Sequence, residues 1–294
     1  MRVLWLIALG ACEARLGGNA IENTLPDAAG DGIIDAEADA KVPLGPWGAP
    51  MPVPITAVND DDPSLTGDQL ELYFNRADDI FVTRRAAITD PWGPLAIVPE
   101  LSIADVTDTT PEITYDGLTM FLASNRPPVD GALDLHVATR ASRADKFGTP
   151  TKLTELSGGN REAASASGDG LVIVFESNRN GSNDTFIAER PNKAVAFGTP
   201  VAVAAVNTGT TSDGNPMLSA DGLELYLNSD RSGNNELYVA TRASTADDFG
   251  APVLIDELND PAAQDQDPWI SPDGRTLYFV SDRLGTTQLF ISTR

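Results

Sequence analysis

Few side chains in this 294-residue sequence could take part in catalysis. His136 is its only histidine and Cys12 its only cysteine. One residue of each type excludes zinc sites with several Cys and His ligands, and it excludes Cys–His nucleophile pairs. A Ser-His-Asp triad would have to use His136, and the chain contains no G-x-S-x-G elbow to present the serine. No glycine-rich loop with a lysine is present to hold a phosphate.

Carboxylates are the remaining candidates for chemistry. Glycoside hydrolases need two carboxyl groups about 5–10 Å apart, one of them with a raised pKa. Glu112 lies in a predicted innermost strand, and four other acids just precede such strands: Asp62, Glu162, Asp213 and Asp267. These four recur at similar repeat positions. Because an active site would break the repeat, the sequence favours a repeated structural role for them over catalysis.

The elements that position these residues are five copies of one unit. The copies are anchored at Pro63, Pro111, Ala164, Pro216 and Pro268, with spacings of 48, 53, 52 and 52 residues. A period near fifty with short alternating strands is typical of a β-propeller. Each unit predicts four strands, and the second is apolar nearly throughout. This composition suits a strand that is buried on both faces between neighbouring blades.

The two ends of the chain predict how the ring closes. The last unit stops at Arg294, directly after its third strand, and lacks a fourth. The first unit is preceded by Trp47-Gly48-Ala49-Pro50 and then 53–55, which together resemble an orphan fourth strand. We therefore expect an all-β, five-bladed propeller over residues 46–294, in which an N-terminal strand completes the last blade and leaves no open sheet edge.

Three phrases of the last unit carry a family resemblance: Ser271-Pro272-Asp273-Gly274, Leu277-Tyr278-Phe279 and Ser281-Asp282-Arg283. They resemble the TolB-type, Pro-Asp variety of WD-like propeller repeats. The resemblance implies a protein-binding role in the bacterial envelope. TolB itself has six blades and an additional small α/β domain before them, and nothing in this chain matches that domain. Propellers host unrelated activities, so the resemblance bears on the fold more than on the function.

The N-terminus resembles a bacterial lipoprotein signal. One positive charge and a short apolar run lead into Leu9-Gly10-Ala11-Cys12, so we expect residues 1–11 to be a signal peptide and Cys12 to be lipidated. Glu13 after that cysteine favours the outer membrane. Residues 12–45 predict a flexible acidic tether. Asp27 begins a partial calcium loop there, but the loop lacks its bidentate glutamate, and an acidic linker is the better interpretation.

Repetition also favours structural roles for most polar residues. Arginines end four second strands, where they are expected to bridge blades through carboxylates or carbonyls. His136 occupies an aromatic position of a third strand, equivalent to Tyr238, and is expected to be structural. Loops on one face of the ring, rich in Asn, form the predicted recognition rim. The candidate binding residues are Asp62, Asn125, Arg126, Glu162, Asn178, Arg179, Asp213, Asp230, Arg231, Asp267, Asp282 and Arg283.

The charge balance of the chain limits the classes of partner that it can bind. The chain has 43 acidic and 20 basic residues, a net charge of −23, which disfavours nucleic acid and anionic lipid surfaces. We therefore expect a monomeric, non-catalytic binding or scaffold module of the bacterial cell envelope, which engages a protein partner through its rim and channel mouth. Only a lipid anchor would attach it to the membrane. A carbohydrate-binding or glycoside-hydrolase-like propeller and a purely structural surface protein are the alternatives. No cofactor is expected, and calcium is the one ion whose binding the sequence allows.

Overall fold

The structure is a computed structural model that describes residues 44–55, 59–127, 132–159 and 163–294. All regular elements of these residues are β-strands. The described residues contain no helix that is long and apolar enough to cross a membrane. Cys12 and the predicted signal peptide lie outside them, as does the tether up to residue 43.

Within the described part of the chain, twenty strands form five four-stranded antiparallel sheets. Strand β1 is Met51–Pro52. Blade one comprises β2 (Asp60–Leu65), β3 (Glu71–Arg76), β4 (Asp79–Arg84) and β5 (Ala96–Ile97). Blade two comprises β6 (Asp108–Ile113), β7 (Thr119–Ser124), β8 (Asp134–Thr139) and β9 (Thr151–Lys152). Blade three comprises β10 (Ala164–Ala166), β11 (Val172–Ser177), β12 (Asp184–Glu189) and β13 (Val201–Ala202). Blade four comprises β14 (Asp213–Leu218), β15 (Glu224–Ser229), β16 (Glu236–Thr241) and β17 (Val253–Leu254). Blade five comprises β18 (Asp265–Ile270), β19 (Thr276–Ser281) and β20 (Gln288–Thr293), with β1 as its outer strand.

The ring closes as the sequence predicts. Strand β1 pairs with β20, placing Met51 opposite Ile291, so a strand from before the first blade completes the last blade. The pairing lies slightly earlier than expected, at 51–52 rather than 53–55, although the Val53 N–H still donates to the Leu289 carbonyl (2.8 Å). Trp47 is buried nearby, and the Arg294 guanidinium stacks 4.2 Å from the centre of its ring.

The second strands hold the core. Tyr73, Phe74, Tyr226 and Phe279 on these strands are almost completely buried. Because alternate side chains of a strand point to opposite faces, each second strand packs against both of its neighbouring blades. Each large apolar side chain buried in this way contributes about 1.5–3 kcal/mol to the free energy of folding.

Four innermost strands contain a β-bulge that the sequence pattern does not predict. Their registers shift at the residue before the anchor proline, where φ is positive: 51° at Asp62, 47° at Thr110, 47° at Asn215 and 55° at Asp267. A bulge adds one residue to the strand and re-aims its side chain. The innermost strands therefore begin three residues earlier than predicted. The prediction that the acids precede these strands is wrong for every described acid. Blade three, which has Ala164 at its anchor, keeps only the short strand β10.

Candidate functional site

The acids of the innermost strands fall into two rows with different surroundings. The first residue of four of these strands is a buried aspartate that pairs with an arginine close to the end of the second strand. The pairs are Asp60 with Arg76 (2.7 Å), Asp108 with Arg126 (2.6 Å), Asp213 with Arg231 (2.6 Å) and Asp265 with Arg283 (2.6 Å). This row repeats in four of the five blades, which is the pattern of a structural element.

Arginines at this repeat position also tie blades two to five to the loops before them. Arg126, Arg231 and Arg283 donate to loop carbonyls at 2.6–2.9 Å, and Arg179 in blade three donates to the Leu156 carbonyl at 2.5 Å. The Arg179 guanidinium lies 4.7 Å from the ring centre of Phe186. The guanidinium groups contact carboxylates, loop carbonyls and aromatic rings of the protein. Their geometry is that of the bridging role expected from the repeat.

The second row of acids faces the central channel. The bulge residues of four blades and the equivalent Ala163 of blade three line it, together with polar side chains of the adjoining strands and loops. They surround a mouth of about 330 Å³, whose lining includes Asp61, Asp62, Thr110, Ala163, Glu176, Asn183, Asn215, Asn228, Asn235, Gln266 and Asp267. Loops between second and third strands meet loops between blades here, so both sets expected to form the rim lie at the same end of the channel.

The acids at the mouth depart from the five-fold repeat. The bulge position is aspartate only in blades one and five, at Asp62 and Asp267, and is Thr, Ala or Asn in the other three. Glu176 is equivalent to Asn75 of blade one, and both side chains accept a backbone N–H from the next blade: Asn215 N–H to Glu176 Oε2 (3.0 Å) and Thr110 N–H to Asn75 Oδ1 (3.3 Å). Since an amide can make that link, the structure of the blade does not require the charge of Glu176.

The electrostatics of the mouth are dominated by crowded carboxyl groups. Burial raises the pKa of Asp267 well above its usual value, and the negative charges of Asp62 and Asp61 add to this effect. A hydrogen bond joins the Asp267 and Asp61 carboxyl groups, and Asn215 donates an amide N–H to Asp267. Asp267 therefore retains a proton at a pH where an ordinary aspartate has lost it.

The channel narrows below the mouth to a space of about 40 Å³, enough for a few water molecules. Glu112 lines this part, and burial raises its pKa to about 8, although the Ser64 hydroxyl donates to it at 2.7 Å and opposes the shift. At the far end, Tyr115 of blade two donates a hydrogen bond to the Ile270 carbonyl of blade five (2.9 Å). Tyr115 therefore links two blades that are separated in the ring by blade one.

Solved structures with related folds include two TolB proteins. The putative TolB of Agrobacterium tumefaciens is 19% identical with a TM-score of 0.52, over 77% of this chain and 71% of that one. TolB from Acinetobacter baumannii is 17% identical with a TM-score of 0.50, over 81% of this chain and 55% of that one. This chain has a TolB-like β-propeller fold. It spans little more than half of the second of these proteins.

The TolB-like fold also resembles an enzyme. The endo-arabinase from Bacteroides thetaiotaomicron is 14% identical, with a TM-score of 0.60 over 83% of this chain and 96% of that one. No protein-family model and no curated protein sequence matches the chain. At these identities the likeness extends to the fold alone, so the function must be argued from the site.

The TolB-like propeller separates the predicted binding residues into distinct groups. Of the twelve, Asp62 and Asp267 lie at the mouth, and Glu162 is outside the described residues. Asn125, Asp230 and Asp282 each accept a backbone N–H of the residue before an innermost strand, at 2.8–2.9 Å. Asn178 occupies the same repeat position. Asp213 is in the structural row, and so differs from Asp62 and Asp267, with which the sequence grouped it. The four arginines have the loop and carboxylate partners described above.

His136 lies in the aromatic slot that the sequence predicts. It is 3% exposed, and its Nδ1–H donates to the Asp134 carbonyl (2.9 Å). The equivalent Phe81, Phe186, Tyr238 and Phe290 each lie beneath an arginine. Burial lowers the pKa of His136, and the nearby Arg126 charge lowers it further. The imidazole is thus a neutral packing group, remote from the mouth.

Sequence inspection missed several residues that shape the cavity. Glu176 interrupts a position held by Asn, Ala or Val in the other blades, and that interruption is a usable signal. Tyr115 is the only bulky side chain at a position otherwise held by Gly67, Gly168, Ala220 and Pro272. Among the described residues, no three His, Cys, Asp or Glu side chains are arranged to hold a metal ion.

Proposed function

We propose that this protein is a non-catalytic binding module of the bacterial cell envelope whose channel mouth receives part of a protein partner. The observation that carries the proposal is the placement of Asp62, Glu176 and Asp267. These acids break the repeat and converge on one cavity, and Asn75 of blade one makes the same link to the next blade that Glu176 makes in blade three. Side chains that deviate from a rigid repeated scaffold in this way are where recognition is normally found.

The dimensions of the site determine how a partner can engage it. A mouth of about 330 Å³ above a narrow part of about 40 Å³ accepts one or two side chains or a loop tip, and the narrow part is too small for a chain to thread through. The remainder of the partner would rest on the rim around Asn183 and Asn235. This arrangement places a small buried anchor at the centre of a larger polar interface.

Location in the envelope is part of the same proposal. It is supported by the lipobox-like Leu9-Gly10-Ala11-Cys12 and by the likeness of the repeats to the TolB type. Lipidation of Cys12 would hold the propeller at a membrane surface. Mass spectrometry of the mature protein tests this directly: a lipidated Cys12 as the first residue is expected, and an unmodified chain beginning at Met1 contradicts the anchor.

A second candidate function is carbohydrate binding or glycoside hydrolysis. It is favoured by the fold shared with the endo-arabinase, and by Glu112, whose pKa of about 8 suits a general acid. However, Glu112 lies where the channel holds only a few water molecules, too little space for a sugar ring. Asp61 and Asp267 are hydrogen-bonded to each other, which is closer than the separation that either glycosidase mechanism uses. We therefore rank hydrolysis below protein binding.

Photocrosslinking in native envelopes tests the proposal. A photoreactive residue replaces Asn235 at the mouth or, as a matched control, exposed Asp248, which does not line the channel. We expect one reproducible protein adduct from position 235, its loss on Asp267→Asn, and no such adduct from position 248. Equal adducts from both positions contradict the proposal. Saturable glycan binding or polysaccharide hydrolysis that requires Asp267 supports the second candidate instead.

A further inference from the structure

Three buried oxygen atoms at the mouth have no hydrogen-bond partner among the residues that the structure describes. They are Asp61 Oδ1, Thr110 Oγ1 and Asn228 Oδ1, and all three residues line the same cavity. Asn228 is only 4% exposed, so its carbonyl oxygen cannot be satisfied by bulk solvent. Buried polar atoms in folded proteins are nearly always paired, and an unpaired group requires an explanation. A ligand that donates hydrogen bonds into the cavity supplies one.

The charge of the cavity specifies what kind of donor fits. Asp61, Asp62, Glu176 and Asp267 contribute carboxyl groups, whereas none of the described residues that line the mouth or the narrow part is a lysine or arginine. Unpaired acceptors beside carboxyl groups complement a group that has several N–H donors and a positive charge. Guanidinium and alkylammonium groups have both properties.

The backbone is shaped to bring two of these acceptors together. A Cβ on Gly214 would lie 2.0 Å from Glu176 Oε2, so the glycine makes room for that carboxylate. Gly214 pairs with Asn228 across β14 and β15, which places Asn228 beside the space that Glu176 enters. In a five-bladed ring, blade three lies across the channel from the junction of blades five and one, where Asp267 and Asp61 meet.

We propose that the channel mouth is a binding site for a guanidinium or alkylammonium group, held between the Asp61–Asp267 pair and the Glu176–Asn228 pair. This inference rests on the proposed function, because it names the chemistry by which the partner is recognised. A lysine or arginine of the partner and a free polyamine share this chemistry. The site is distinct from the Asp–Arg row, whose aspartates pair with arginines of their own blades.

Binding at this site is coupled to proton release. The pKa of Asp267 is raised because its carboxyl group is buried among Asp61 and Asp62 of β2 and Glu176 of β11, with Glu112 of β6 deeper in the channel. The facing residue of β14 is the neutral Asn215. An entering cation stabilises the ionised carboxylate, and the proton passes to solvent. Affinity for the cation should therefore increase as the pH rises above the ordinary aspartate pKa of 3.8 toward the raised pKa of Asp267.

Isothermal titration calorimetry with the full chain tests the site. The probes are N-acetyl-L-arginine amide, its neutral isostere N-acetyl-L-citrulline amide, and spermidine. We expect saturable one-to-one binding of arginine amide at least tenfold tighter than that of citrulline amide, with proton release visible as a dependence on buffer ionisation enthalpy. Tighter binding of arginine amide than of spermidine supports a partner side chain, and the reverse order supports a free polyamine. Equal or absent binding of the charged and neutral probes overturns the inference.

Variants separate this site from general attraction to an acidic protein. Asp267→Asn and Glu176→Gln should each weaken arginine amide binding about tenfold or more, whereas Asp248→Asn removes the same charge from an exposed position and should leave it unchanged. Equal weakening by all three overturns the site. Arg161 lies outside the described residues, two positions before Ala163 of the mouth. Binding that appears only in Arg161→Ala also overturns the inference, because the chain would then supply its own cation.

The outcome is distinguishable from that of the crosslinking experiment. A partner adduct at position 235 without any cation binding overturns this inference and leaves the proposed function standing. Cation binding without a protein adduct supports this inference and overturns the proposed function.

Discussion

Asp267→Asn should stabilise the free protein at neutral pH, although it removes a residue of the proposed site. Asp267 is 5% exposed, and burial together with the charges of Asp62 and Asp61 raises its pKa. A protonated aspartate donates one hydrogen bond and accepts another. Asparagine can do the same, donating to Asp61 and accepting from Asn215, so the substitution preserves both contacts of the protonated form.

The sign and size of the effect follow from proton linkage. The unfolded chain releases the Asp267 proton near the ordinary aspartate pKa of 3.8, whereas the folded protein retains it to higher pH. The stability contributed by Asp267 is therefore present below pH 3.8 and decreases as the pH rises toward the raised pKa. The loss is about 1.4 kcal/mol for each pH unit in this window. For a domain of this size it corresponds to about 3–6 °C in Tm per unit.

Thermal unfolding of both proteins between pH 4 and pH 8 measures this difference. The two Tm values should be similar at pH 4, and the variant should become progressively more stable as the pH rises. Asp248→Asn, at an exposed position, should show no such trend. A variant that is less stable than the natural protein at pH 8, or a difference in Tm that does not change with pH, would refute the claim that the buried carboxyl group of Asp267 lowers the stability of the protein at neutral pH.

Three further predictions concern the repeated structure. Arg126→Met should destabilise the protein by about 3–5 kcal/mol in urea unfolding, because it leaves the fully buried Asp108 without its charge partner, and a double variant with Asp108→Leu should recover most of the loss. Trp47→Ala should cost about 3–5 kcal/mol by removing a buried ring from the junction where β1 closes the last blade. His136→Phe should remove a loss of stability that the natural protein shows as the pH falls below about 6.5: the unfolded histidine gains a proton there while the folded one, with its lowered pKa, resists protonation.

Each of these has a matched control or a contradicting outcome. Lys146→Met breaks an ion pair whose lysine side chain is 81% exposed, and it should cost at most about 1 kcal/mol. A double variant at 108 and 126 that is no more stable than Arg126→Met contradicts the buried-pair account. An unchanged midpoint for Trp47→Ala means that the closure contributes little. Identical acid profiles of His136→Phe and the natural protein mean that the imidazole titrates as it does in the unfolded chain.

The repeat explains why the architecture could be predicted. Five copies of one unit, with a fourth strand missing at Arg294 and a spare one after Trp47, determine the number of blades and the closure without knowledge of any contact. Local patterns also placed His136 in its aromatic slot. These features depend on sequence period and strand propensity, which are local properties.

The composition of the site was not predictable in the same way. The sequence places Asp62, Asp213 and Asp267 at similar positions, whereas the bulges separate them into a buried row and a channel-facing row. The separation depends on φ at single residues, which is set by packing of the innermost strands around the axis. Asp61, Glu176 and Asn228 were missed because they converge only when three blades are assembled, and no local pattern records that convergence.

The most direct test of the account is a high-resolution crystal structure of the protein soaked with N-acetyl-L-arginine amide. We expect the guanidinium to lie between the Asp61–Asp267 pair and Glu176, within hydrogen-bond distance of Asn228 Oδ1. A guanidinium bound at another surface, a mouth that stays empty at saturating ligand, or a mouth filled by the chain's own Arg161 would contradict it.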